Sequence, residues 1–220
     1  MRPRLRTATS VFAAVAAALL LLAVPASASK AGDVKTARQG VFQASDFSSA
    51  WSGTRNTSAS DESVIKSASK IPACRQYVAV RKAASVLPKA RSLQFDDGAG
   101  TSASNTVYAF SSVAKATAAV TRYSASGVPT CLEQLTASSL EGADITVTAV
   151  DIGTLGDQST GYSGDITTTD GSKAQVLSAI VRVGRFVDVY SFQTQSESPP
   201  TDEINAAVDA SIQRLTDAEG

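Results

Sequence analysis

Residues Val176–Phe192 read VLSAIVRVGRFVDVYSF. Two runs rich in branched and aromatic side chains, Val176–Val183 and Phe186–Phe192, flank the pair Gly184-Arg185. Glycine stands at the first central position, where a type II′ turn needs positive φ, so the stretch predicts a β-hairpin. Just upstream, a weaker strand over Thr160–Thr167 runs into a turn at Asp170-Gly171. Before it, Ile145, Val147 and Ala149 alternate with Thr146 and Thr148, the period of a strand with one wet face. Gly153–Asp157 joins these two strands as a loop. Downstream, Pro199-Pro200 ends the sheet pattern. Thr201 can then cap a last helix carrying Ile204, Ala207, Val208, Ile212 and Leu215 on one face.

The first half is more helical. Ser111 and Ser112 can cap a helix in which Val113, Ala116, Val120 and Tyr123 form a buried stripe, stopping before Gly127-Val128-Pro129. A shorter helix carrying Cys131, Leu132 and Leu135 follows. Two strands, Ser92–Phe95 and Asn105–Phe110, precede them, with a turn signal at Asp97-Gly98. Val64, Ile65, Ile71, Tyr77, Val78, Val80, Ala84 and Leu87 suggest one or two helices around Cys74, ending before Pro88. Residues 29–65 are rich in Ser and Thr and drape on the domain through Val41, Phe42, Phe47 and Trp51, with Ala50–Ser63 read as loop. Strands joined mainly by short turns give an α+β domain, an antiparallel sheet with helices packed on one face. The expected divisions are a leader over 1–28, the Ser/Thr-rich segment 29–65 and a single α+β domain over 66–220.

The leader is an export address. Arg2, Arg4 and Arg6 precede an unbroken apolar run of 14 residues, Val11–Val24, and Ala26-Ser27-Ala28 is a small-residue cleavage pattern, which places the cut between Ala28 and Ser29. The run is shorter than the roughly 20 residues that span a bilayer, so no stable membrane insertion is expected after cleavage. Cys74 and Cys131 then face an oxidising compartment, so a single disulfide of forced connectivity is expected; the competing reading, two separate reactive thiols, lacks a CxxC spacing and a histidine to lower a thiol pKa. The chain has 20 basic and 20 acidic side chains; loss of residues 1–28 removes three arginines and no acid, leaving a charge of −3. That balance excludes a nucleic-acid partner, which needs a surplus of Lys and Arg. The absence of histidine excludes His-ligated zinc, Ser-His-Asp and Cys-His nucleophile sites and a histidine switch.

Little else suggests chemistry. Asp96-Asp97 could hold calcium, but Gly98-Ala99-Gly100 follows without spaced oxygen ligands, so it reads as a turn. Asp165–Gly171 reads the same way, and Gly153–Gly161 lacks a phosphate-binding glycine pattern. Ser67-Ala68-Ser69-Lys70 matches S-x-x-K, a serine one helical turn from a lysine that could serve as its base, yet the same tetrapeptide stands at Ser27–Lys30. Trp51, Tyr77, Tyr108 and Tyr190 could line a cleft, though no periodic stripe joins them and core packing accounts for them as well. No metal and no cofactor is expected.

Asn105–Leu135 (NTVYAFSSVAKATAAVTRYSASGVPTCLEQL) resembles the strand, alanine-rich helix and following cysteine of the extracellular sensor domain of PknH-type actinobacterial protein kinases and related secreted proteins. Leu155–Ser159, Ala179–Phe192 and the amphipathic end of the chain resemble the same group, so the likeness spans roughly residues 40–217. The resemblance implies an antiparallel sheet with helices, disulfides, and a cleft for an extracellular ligand. It assigns no ligand-binding residue, and this chain has one possible disulfide where that domain is expected to have two. The function expected is therefore a secreted, non-enzymatic binding module for a small molecule, glycan, lipid or envelope protein. The alternatives are a Ser-Lys hydrolase built on Ser67 and Lys70, or a structural envelope protein without a ligand.

Overall fold

The computed structural model describes residues 29–56, 61–195 and 199–219. The expected leader and Ala28 of its cleavage point lie outside the described residues. Ser29, on the other side of that point, caps helix α1 (Lys30–Ala37) by accepting a hydrogen bond from the Gly32 amide at 3.1 Å.

The remaining elements in chain order are β1 (Ser52–Thr54), α2 (Asp61–Ala68), α3 (Arg75–Ser85), β2 (Lys89–Arg91), β3 (Gln94–Asp96), β4 (Thr101–Ala109), α4 (Val113–Tyr123), α5 (Val128–Ala137), β5 (Asp144–Val150), β6 (Gln158–Thr167), β7 (Lys173–Val183), β8 (Phe186–Thr194) and α6 (Thr201–Glu219). All strands join one antiparallel sheet of order β1-β3-β4-β8-β7-β6-β5, with β2 beside β3 on the same edge of β4. Strands β5 to β8 form a meander. The chain closes by pairing β8 with β4, Ser104 opposite Ser191 and Ala109 opposite Phe186.

The expected hairpin is β7–β8. Gly184 has φ +54° and Arg185 does not have positive φ, which is the type II′ combination. Alanine at this position would enter the left-handed region, and its Cβ would sit 2.6 Å from Glu219 Oε1. Gly184→Ala is therefore expected to lower the unfolding free energy by about 1–2 kcal/mol, read from urea denaturation. Ser112 caps α4 as expected, accepting from the Lys115 amide.

The α+β class, the antiparallel sheet and the Cys74–Cys131 disulfide follow the sequence expectation. The helices, expected on one face, occupy both. On one side Val107, Val181, Phe186, Tyr190 and Phe192 pack against α1, α6 and the aromatic residues Phe42, Phe47 and Trp51. On the other, Tyr108, Ile180 and Val187 pack against Val80, Ala116, Val120 and Tyr123 of α3 and α4. The reason is that β7 and β8 carry consecutive buried residues, Ala179-Ile180-Val181 and Phe186-Val187, and a strand apolar on both sides must be covered on both. Ala50–Ser63, expected as loop, includes β1 and the start of α2, and the segment 29–65 opens with α1. Arg214 of α6 fixes it with a two-pronged pair to Asp46 at 2.7 and 2.8 Å, and Arg185 holds Asp33 at 2.7 Å.

One polar group lies deep in the first of these cores. Asp188 is fully buried, and Asn105 Nδ2 lies 2.8 Å from its Oδ2 and 2.9 Å from the Gly40 carbonyl. Ser211 Oγ of α6 donates to the same Gly40 carbonyl and stands 3.3 Å from Asp188 Oδ2 and 3.0 Å from the Tyr190 hydroxyl. No cation pairs with Asp188 among the described residues.

Candidate functional site

On the face opposite Asp188, α2 and α3 stand off from the middle of the sheet and leave a cleft of about 320 Å³. Its floor is built by register. Ser178 of β7, Ser191 of β8 and Ser104 of β4 lie side by side across three paired strands, and Thr106 is next along β4. Short hydroxyl side chains here, between the bulky Ile180 and Val187 on one side and the open sheet edge on the other, are what leaves the space. Tyr77 and Arg81 of α3, one helical turn apart, form the wall with Val64 of α2, and Tyr108 and Arg91 close the end near β2.

The wall is strongly cationic. Asp61, the first residue of α2, is buried and takes Arg81 Nη2 at 2.6 Å and Lys89 Nζ in a still shorter contact. Burial works against its negative charge, but the Lys89 hydrogen bond and the charges of Arg81, Lys89 and Arg91 outweigh it and hold the Asp61 carboxyl below its ordinary range. Two cations thus pair with one carboxylate, and a third, Arg91, acts on it through space. Among the described residues, Arg91 is exposed with no salt-bridge partner, and Arg81 Nε is buried without a hydrogen-bond partner. Burial alone would lower the Arg81 pKa; Tyr77, Tyr123, Tyr108 and Asp61 around it raise it instead, so the guanidinium stays charged. Burial pushes the Tyr77 and Tyr108 phenols up, which leaves them neutral donors at ordinary pH. Arg81 lies over the Tyr77 ring at 5.9 Å and Lys89 over Tyr108 at 5.6 Å, a stacked arrangement that fixes both cations.

Of the four aromatic residues singled out in the sequence, the structure brings Tyr77 and Tyr108 to this cleft. Trp51 and Tyr190 point into the opposite core, where Trp51 stacks on Phe47 at 4.7 Å and Tyr190 meets Phe42 at 5.4 Å. Cys74 and Cys131 are bonded and buried, and they tie the start of α3 to α5. Ser67 and Lys70 are both exposed, α2 ends between them, and neither lines a cavity described here. Asp97 forms the expected turn, accepting from the Ala99 and Thr101 amides at 2.7 and 2.8 Å. Asp170 does the same for the Ser172 amide at 3.0 Å. Asp157, in the Gly153–Gly161 loop, is pinned to the β7–β8 turn by the Gly184 amide and Arg182. Among the described residues no three metal-ligating side chains come together, and no helix is long and apolar enough to cross a membrane.

Arg81, Arg91, Lys89 and Asp61 escaped the sequence reading. Two signals were present: Tyr77 and Arg81 at i, i+4 on one helix face, and Lys89-Ala90-Arg91, where both cations share one side of a short strand.

No family model matches the chain, and no curated protein matches it. Among solved structures, the extracellular domain of PknH from Mycobacterium tuberculosis is a distant likeness. The TM-score is 0.49 at 9% identity, over 83% of this chain and 96% of that one.

Proposed function

We propose that this protein works outside the cytosol as a non-enzymatic binding module, and that its ligand is an anion seated in the cleft between α2–α3 and the sheet. The observation that carries the reading is the charge of that cleft: Arg81 and Arg91 line it with no acidic residue among the described ones, over a floor of hydroxyls, while the Lys89–Asp61 pair stands behind Arg81. A negative group entering between the arginines meets guanidinium donors, the Tyr77 and Tyr108 phenols and the floor serines, the donor set that charge-assisted recognition uses. The export pattern of the first residues and the buried disulfide support the location.

Titration with inorganic pyrophosphate tests it. Binding is expected by calorimetry and as a rise in melting temperature, and Arg91→Gln should weaken it about 10- to 100-fold, the worth of one charge-assisted hydrogen bond. Equal affinity in the wild-type chain and in a double Arg81→Gln, Arg91→Gln variant would overturn the assignment.

A further inference from the structure

A second cavity opens on the same sheet face. It lies beneath α5, holds about 110 Å³, and is walled by Leu132, Ile145, Val147, Ile166 and Val176 with no charged side chain. Gly164 leaves its floor open: the residue has an ordinary strand φ, and a Cβ there would meet nothing nearer than 3.5 Å. The cavity and the cationic cleft are neighbours by strand register. Tyr162 of the cavity pairs with Ser178, Ser178 pairs with Ser191, and Ser178 lines both spaces. Adjacent strands are about 4.8 Å apart, so Gly164 on β6 lies roughly 10–15 Å from Ser191 on β8 and Ser104 on β4. The other apolar cavity, of about 140 Å³ at the start of α6, has no charged lining residue.

We infer that the cleft and the α5 cavity form one amphiphile site, which takes a ligand with an anionic head at Arg81 and Arg91 and a single hydrocarbon chain running over Ser178 to Gly164. This rests on the anion reading of the cleft and adds the chemical class of the rest of the ligand. An apolar space of this size is comparable to cavities that accept a small hydrocarbon, and it shares Ser178 with the cationic cleft, so one molecule with a polar head and an apolar tail can reach both. The disulfide bears on the same geometry: Cys74 begins the helix that carries Tyr77 and Arg81, and Cys131 stands beside Leu132 in the helix that roofs the cavity.

The test compares inorganic phosphate, butyl phosphate, octyl phosphate and 1-octanol, each below its aggregation concentration, on the wild-type chain by calorimetry. Affinity is expected to rise about fourfold for each added methylene until the cavity is full. Gly164→Leu should abolish this rise, so that octyl phosphate binds the variant no better than butyl phosphate does. If octyl phosphate binds no better than inorganic phosphate, the amphiphile site is wrong and the anion reading stands. Octanol binding as tightly as octyl phosphate would overturn the role of the charge. If none of the four binds, both readings fail.

Discussion

Between pH 4 and pH 8, Asp188→Asn is expected to gain about 4 kcal/mol of unfolding free energy over the wild-type chain. Burial pushes the Asp188 carboxyl up to about 7, and the hydrogen bonds from Tyr190, Asn105 and Ser211 lower it only in part. The proton count in the network points the same way. Ser211 has one hydroxyl hydrogen and gives it to the Gly40 carbonyl, so its close approach to Asp188 Oδ2 is a hydrogen bond only if the carboxyl supplies the proton. A group whose folded pKa is raised is bound to its proton more tightly in the native state. Its contribution is complete below the unfolded value near 4 and is lost as pH climbs through 7. Asparagine reproduces the protonated form, with its amide donating to Ser211 and its carbonyl accepting from Asn105, and does not titrate. Asp61 and Asp97 have lowered pKa values and give the opposite trend in both proteins, so the difference between variant and wild type isolates Asp188. Urea denaturation across that range, with both proteins measured side by side, reads the effect. Parallel curves would show that Asp188 is ionised in the folded state. Asp188→Ala, by contrast, leaves Asn105 and Ser211 without their partner and should cost about 2–4 kcal/mol at pH 5.

Removal of the disulfide is the other large effect. The bond closes a loop of 57 residues, worth about 4 kcal/mol on the chain-entropy model. For a domain of this size a Cys74→Ala, Cys131→Ala double variant should melt on the order of 10 °C lower. The loss has a second readout in the cleft. The bond holds the start of α3 against α5, so the variant should also bind pyrophosphate more weakly at a temperature where it is still folded. A variant that melts like the wild type would mean that Ala68, Ile71 and Leu135, packed around the two sulfurs, hold these helices without the bond.

The elements read most clearly from the sequence are those specified locally. Gly184 sets a turn, Ser112 caps a helix, and the stripe from Ile204 to Leu215 can face only one way. What escaped depends on distant partners. The pairing of β8 with β4 skips two helices and three strands, and nothing in Ser104 or Ser191 announces that they will stand opposite one another. The cleft floor exists only through that register. Its wall depends on Asp61 reaching Arg81 and Lys89 from a separate helix, a contact with no local pattern. The double-sided coverage of the sheet was visible in principle, in the unbroken apolar run at Ala179–Val181.

The clamp between Arg214 and Asp46 joins residues 168 positions apart, and the Ser211 contact to Gly40 spans 171. The earliest-made part of the described chain is therefore seated by the part synthesised last. Phe42 likewise rests on Tyr190 and Phe192 of β8, so its ring stays solvated until that strand has been made. Synthesis thus presents an adhesive aromatic segment long before its resting place exists, which leaves the unfinished chain open to aggregation.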